Sequence, residues 1–153
     1  MKRQIINNFI TEFIKIANKL NELEKIPVDF GTGELLYPSE VHTIAIIGDG
    51  VDTVTEISVR FGITKGAVSQ IIAKLHKKRY ITKTRNELYG KEINLSLTEK
   101  GIKAYQAHQK LHENMDNDII QSAQFYSDES IQSFCGLINE IEKHIDKYIN
   151  MGK

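Results

Sequence analysis

The chain has 153 residues, 41% of them apolar and 26% charged, with 20 Lys and Arg balanced by 20 Asp and Glu, which suits one cored unit with room for an added helical layer. No stretch nears the ~20 consecutive apolar residues of a membrane span, and Met1-Lys2-Arg3-Gln4 opens onto a broken, helix-periodic pattern rather than a secretory signal, so a cytoplasmic protein with no membrane partner is expected. The single cysteine, Cys135, excludes an internal disulfide and any Cys-rich zinc motif.

In chain order, residues 3–24 carry Ile6, Phe9, Ile10, Phe13, Ile14, Ala17 and Leu20 at helical spacing, widened by Ile5 and Ile16. They predict a long first helix with a broad apolar face. Ile26 to Pro38 holds both prolines together with Gly31 and Gly33 and reads as a loop. Ser39 then reads as the N-cap of a short helix running to about Ile47, ended by Gly48-Asp49-Gly50. Thr53 followed by Glu56 is a capping box, and it opens a helix whose apolar residues Val54, Ile57, Val59 and Phe61 stop at Gly62.

Thr64 caps the next helix, Lys65 to about Lys78. Val68, Ile71, Ile72 and Leu75 form its inward stripe, which turns Lys65, Gly66, Ser69, Gln70, Ala73, Lys74 and Lys77 outward. Ile81–Arg85 and the alternating Ile93, Leu95 and Leu97 predict a hairpin turning through Asn86–Gly90. Between Lys65 and Lys91 there are eight basic residues against one acid, Glu87, whereas Glu113, Asp116, Asp118, Asp128, Glu129, Glu140, Glu142 and Asp146 crowd the last third. The neutral total therefore hides one basic and one acidic end. Helix, turn, helix and basic hairpin in this order make a winged helix, whose second helix is built to enter a DNA major groove. On that reading Thr64, Lys65, Gly66, Ser69, Gln70 and Lys74 face double-stranded DNA: the small residues permit close approach, Gln70 pairs with an adenine edge, and the lysines hold phosphates. Lys83, Arg85 and Lys91 flank the hairpin tip as further phosphate contacts. The competing reading is a solvated helix face and a merely soluble hairpin.

The runs Val54-Thr55-Glu56-Ile57, Gly62-Ile63-Thr64-Lys65-Gly66-Ala67-Val68-Ser69, Leu75-His76-Lys77-Lys78-Arg79-Tyr80-Ile81 and Leu97-Thr98-Glu99-Lys100-Gly101 together resemble the MarR family of bacterial transcription regulators. The resemblance implies an obligate two-fold homodimer, built by the first helix and the last two, which represses or activates transcription at a pseudo-palindromic operator under control of a small-molecule or metal effector. Where the family usually carries Asp-x-Arg at the wing tip, this chain has Tyr89-Gly90-Lys91. Lysine keeps the charge but not the planar, bidentate contact of arginine. Periodicity supports the dimer: Glu99 to about Ala123 carries Ile102, Tyr105, Leu111, Met115 and Ile119, and Asp128 to Asn150 carries Ile131, Phe134, Leu137, Ile138, Ile141, Ile145, Tyr148 and Ile149. That is more apolar surface than a small wing domain covers, and two-fold symmetry would set two recognition helices ~34 Å apart, one DNA turn. A monomer with an extra helical layer is the alternative. The expected fold class is mainly α (α+β), with a dimerisation helix and loop over 1–38, a winged helix-turn-helix over 39–101 and C-terminal dimerisation helices over 102–153.

His108 and His112 stand at i, i+4 on the long helix after the wing, a spacing that suits two ligands of one metal ion. With Glu24 and His42 they resemble the primary site of the zinc-responsive MarR branch, which implies one Zn²⁺ per subunit. That branch's second site is not matched: the loop from Ile26 to Pro38 lacks its cysteine, and Ala107 stands where its glutamate precedes the first histidine. His76 and His144 have no spacing partner and read as surface residues. The competing effector is an aromatic or phenolic anion in a crevice bordered by Tyr37, His42 and Tyr105. Redox sensing by Cys135 is disfavoured, because no basic residue adjoins it and its place in an apolar stripe reads as buried. From another functional class, a protein-interaction module would present Lys77-Lys78-Arg79 to an acidic partner. Catalysis is not expected: there is no Gly-rich phosphate loop, nucleophile elbow or paired-carboxylate signature, and Gly48-Asp49-Gly50-Val51-Asp52 offers too few ligands for calcium.

Overall fold

A helix that ends on an αL glycine and is followed at once by a capped helix can only turn sharply, and this local grammar organises the middle of the chain. The computed structural model describes residues 1–85 and 93–151. By internal packing it forms two units, Met1–Lys110 and Leu111–Lys153.

In the first unit α1 spans Lys2–Leu23, followed by β1 (Val28–Asp29) and β2 (Leu35–Leu36), then α2 (Pro38–Gly48), α3 (Val54–Phe61), α4 (Lys65–Lys77), β3 (Ile81–Arg85), β4 (Ile93–Leu97) and the start of α5 (Glu99–Ala123). The Thr53 hydroxyl accepts the Glu56 N–H at 3.2 Å and opens α3. Gly62, at φ +64°, closes it in the left-handed region that favours glycine. Thr64 Oγ1 accepts the Ala67 N–H at 3.2 Å and opens α4. β3 and β4 pair antiparallel with Ile81 opposite Leu97 and Arg85 opposite Ile93. The free edge of β4 is met by the segment before α3, where Leu95 N–H donates to the Asp52 carbonyl at 2.9 Å.

Two stretches differ from the sequence expectation. The loop after α1 contains an antiparallel pair, Val28 with Leu36 and Asp29 with Leu35, nucleated by the Asp29 carboxylate accepting the N–H groups of Thr32 (2.9 Å) and Gly33 (3.1 Å). Helix α2 begins at Pro38 with Tyr37 as its N-cap, two residues earlier than Ser39 suggests. Pro38 needs no N–H partner there, and the buried Glu40 carboxylate accepts the Tyr37 N–H at 2.9 Å.

The core sits where α2, α3, α4 and the β3–β4 pair converge: Leu36, Ile44, Ile57, Val68, Ile72, Leu75, Tyr80, Ile81 and Leu95 are essentially inaccessible. A closed apolar centre of this kind supplies most of the unit's stability, since each fully buried Val, Leu or Ile side chain contributes roughly 1.5–3 kcal/mol. The Tyr80 hydroxyl is satisfied by Thr32 Oγ1 at 2.6 Å, and the Lys100 ammonium stands 4.2 Å over its ring. The turn from α4 to β3 is unusual: Arg79 occupies the αL position at φ +61°, where a helix end normally carries glycine. An L residue there is disfavoured by roughly 1–2 kcal/mol. The Thr98 hydroxyl bridges the carbonyls of Arg79 (2.7 Å) and Tyr80 (3.1 Å) and holds the turn in place.

The second unit continues α5 to Ala123 and adds α6, Asp128–Met151, with Ser127 Oγ accepting the Ser130 N–H at 3.3 Å at its start. Among the described residues, α1 and α6 bury none of their side chains within the chain. Ile6, Ile10, Ile14 and Leu20 of α1, and Phe134, Leu137, Ile145 and Ile149 of α6, are each exposed. Cys135, expected to be buried, is exposed as well, on a helix that buries no residue within the chain. None of the described helices is long and apolar enough to cross a membrane.

Candidate functional site

On α4 the inward stripe is Val68, Ile72 and Leu75, all buried, with Ile71 half-buried at its margin. Their spacing turns Lys65, Gly66, Ser69, Gln70 and Lys74 outward, and all five are exposed, as is Thr64 at the cap. A Cβ added to Gly66 would approach only Thr64 Oγ1, at 3.9 Å, so the fold does not require glycine at that position. The small side chain leaves the first turn of α4 low and open. Lys83 is exposed on β3. No ion pair involves Lys65, Lys74 or Lys83 among the described residues, so their charge is available to a partner. Arg85 lies at the end of β3, and Lys91, with the Tyr89-Gly90 departure beside it, falls outside the described residues.

The histidines converge from two helices. His42 projects from α2, and its ring centroid stands 5.3 Å from that of His108 on α5, edge to face. His108 is only 6% exposed and also meets Phe30 edge-on at 5.6 Å, so the β1–β2 segment backs the site. Because α5 is unbroken from Glu99 to Ala123, His112 follows His108 by one helical turn on the same face. One ligand nitrogen from each of His42, His108 and His112 lies within 4.8 Å of the others. Nitrogens bound to one zinc at ~2.0–2.1 Å stand closer together than that, by a margin a small side-chain rotation closes. Three neutral imidazoles are a donor set that zinc accepts readily, so the residues present fit the ion. Glu24 is the C-cap of α1, exposed, and is not among the three grouped ligands. His76 and His144 are exposed and outside the group.

Of the residues expected to border an aromatic crevice, His42 lies in the histidine group and Tyr105 borders a separate cavity. Tyr37 is 56% exposed. Tyr105 donates to Asp49 Oδ1 at 2.8 Å and accepts from Gln109 at 2.7 Å, and the Asp49 carboxylate raises its phenol above the ordinary range. The cavity of about 490 Å³ that it borders is lined also by Ile47, Leu95, Leu97 and Ile102, and includes neither Tyr37 nor His42.

Sequence reasoning missed the ion-pair lattice beneath the C-terminal end of α4. The Lys78 ammonium reaches buried Glu40 at 2.9 Å and the Leu35 carbonyl at 3.3 Å. Lys100 reaches Glu34 at 2.7 Å and the Lys78 carbonyl at 3.1 Å, and the bond to Glu34 holds its ammonium above the usual lysine range. These partners are 22 to 66 positions apart in sequence, so no local pattern announces them.

Comparisons with known proteins agree with this geometry. Residues 36–91 match the model of the MarR family. The chain is 29% identical over 112 residues to the uncharacterized HTH-type transcriptional regulator YhjH of Bacillus subtilis (strain 168), a match that covers 72% of this chain and 64% of that protein. It thus spans a little under two thirds of that relative's length. Among solved structures it resembles ZitR of Lactococcus lactis, a zinc-responsive MarR family member, with TM-score 0.77 and 20% identity over 92% of this chain and 99% of that one. It also resembles FabT of Streptococcus pneumoniae, solved in complex with DNA, with TM-score 0.68 and 25% identity over 94% of this chain and 97% of that one. Through its winged helix the chain resembles the MarR family and an HTH-type transcriptional regulator, and it shares the fold of solved MarR-family structures.

Proposed function

We propose that the protein is a DNA-binding transcriptional regulator that acts as a homodimer on a pseudo-palindromic operator, with Zn²⁺ as its effector. The observation that carries the DNA reading is the outward face of α4, small and polar at its start and lined by lysines with no acidic partner among the described residues. Such a face can approach base edges through Ser69 and Gln70 while Lys65 and Lys74 neutralise phosphates. Lys83, Arg85 and Lys91 contribute phosphate contacts from the wing. The homodimer is favoured by the exposed apolar stripes of α1 and α6, which a second copy would remove from water.

Zinc is favoured over a phenolic anion by one observation: one ligand nitrogen from each of His42, His108 and His112 lies within 4.8 Å of the others. In this reading His42, His108 and His112 would hold the ion, and Glu24, which stands outside that group, is the candidate fourth ligand. Holding an ion, His42 of α2 and His108 and His112 of α5 would be tied together. His108 packs against Phe30, so fixing its ring would also fix the turn joining β1 to β2, and the setting of the winged helix becomes sensitive to whether the ligands are tied together.

Titration of labelled duplex at a series of salt concentrations tests the interface. Lys65→Gln should weaken binding to all sequences alike and reduce the salt slope by about 1. Gln70→Ala should instead lose about 1–3 kcal/mol of discrimination at one base pair of each half-site and leave the slope unchanged. Equal effects of both variants on all sequences would assign α4 to phosphate contact alone. An affinity for duplex DNA independent of salt would favour the interaction-module reading.

A further inference from the structure

At the C-terminal end of α4 lies a cavity of about 590 Å³ lined by Glu34, Lys74, Lys77, Lys78 and Arg79, with no apolar side chain in its wall. Its charges do not cancel. Lys78 and the neighbouring Lys100 are matched by Glu40 and Glu34, and Lys74, Lys77 and Arg79 have no ion-pair partner among the described residues. Three cationic residues therefore line one open concavity without an ion-pair partner among the described residues.

A second, independent observation points the same way. Arg79 stands at φ +61°, a position glycine would occupy without strain, and the Thr98 hydroxyl holds it there through the Arg79 and Tyr80 carbonyls. Cations near a helix C-terminus also complement its dipole, but lysines within α4 already do that and need no strained arginine. Non-glycine residues kept in this region concentrate where the side chain has work to do, and a guanidinium is suited to bidentate contact with phosphate oxygens.

We infer that this cavity is an anion site for an oligophosphate, a ligand with two or more linked phosphate groups, held by Lys74, Lys77 and Arg79. The cationic ends of these side chains suit a phosphate chain. Because Lys74 also belongs to the outward face of α4, a bound oligophosphate competes with duplex DNA. The site itself does not depend on the proposed regulation by zinc.

The test is calorimetric titration of the full-length, chelator-treated protein with sodium tripolyphosphate at fixed ionic strength, without DNA. The expected result is saturable binding at one site per subunit. It should weaken at least tenfold in Lys77→Gln/Arg79→Gln and hold within twofold in Lys19→Gln/Lys147→Gln, which removes the same charge from exposed positions of α1 and α6. Arg79→Gly, which relieves the backbone, should keep or raise the melting temperature while weakening binding, so loss of ligand is separated from loss of fold. No saturation by millimolar tripolyphosphate, or equal weakening in both double variants, overturns the site. So does a Lys77→Gln/Arg79→Gln protein that loses duplex affinity while binding tripolyphosphate as before, which would make the cavity a contact for DNA phosphate only.

Discussion

Gly101→Ala is expected to destabilise the winged-helix unit by about 3 kcal/mol or more, beyond the usual ~1–3 kcal/mol of an overpacked core position. The reason is a contact between main chains. A Cβ on Gly101 would fall 2.1 Å from the Tyr80 carbonyl oxygen and 3.3 Å from Leu97 Cβ, and neither neighbour is the free end of a flexible side chain. Tyr80 cannot retreat, because its ring is fully buried, its hydroxyl is bonded to Thr32, and its carbonyl accepts the Thr98 N–H at 3.0 Å. Gly101 cannot retreat either, since its own N–H donates to Thr98 Oγ1 at 3.1 Å in the first turn of α5. Against a typical domain stability of about 5–15 kcal/mol, such a loss is a large fraction of the whole. Gly66→Ala is the informative contrast. It meets only Thr64 Oγ1, at 3.9 Å, and should stabilise α4 by about 0.5–1 kcal/mol through helix propensity, while lowering affinity for DNA if close approach is what the glycine provides. Urea denaturation of both variants separates the two roles. A Gly101→Ala protein within ~1 kcal/mol of the parent would show that Tyr80 and α5 do not approach so closely.

The second large effect concerns the histidines. With His108→Ala and His112→Ala together, zinc affinity is expected to fall by well over 100-fold, because loss of an outer hydrogen-bond partner alone typically costs 10–100-fold and these are the ligands themselves. The exposure of the two differs, and that makes the experiment clean. His112 is exposed, so His112→Ala should leave the melting temperature nearly unchanged; His108 is 6% exposed against Phe30 and His42, so His108→Ala also removes packing. Competition with a chelating dye, read beside a thermal melt for each single variant, separates the two contributions. Retention of full zinc affinity by the double variant would remove the trio as the metal centre. Loss of binding in His108→Ala alone, with His112→Ala unaffected, would reduce the site to His42 and His108.

Much of this architecture can be read from short-range chemistry. Thr53 with Glu56, Gly62 and Thr64 announce α3, the turn and α4 because each acts on backbone groups within four residues of itself. The alternation of Ile93, Leu95 and Leu97 likewise reports a strand with one face against a core. What could not be read depends on partners far along the chain. The β1–β2 pair has two residues per strand, too short for any period, and is held by the Asp29 carboxylate and by Phe30 packing on His108. Lys78-Arg79-Tyr80 contains no glycine, so nothing local marks the αL turn that Thr98 enforces. The i, i+4 histidines were legible as a pair, but the approach of His42 depends on how α2 packs against α5. The apolar stripe around Cys135 was legible as a stripe, and its exposure within one chain follows from its belonging to a surface that the chain alone does not cover.

In the proposed regulator two copies of α4 read successive turns of a duplex under the control of metal. Selection from a pool of random duplexes by the full-length protein, run in parallel with zinc and with chelator at ~50 and ~200 mM salt, tests it most directly. The expected result is an enriched inverted repeat with half-sites about one helical turn apart, recovery that falls by orders of magnitude at the higher salt, and a difference between the zinc and chelator arms. A pool that stays random in both arms at the lower salt would contradict it.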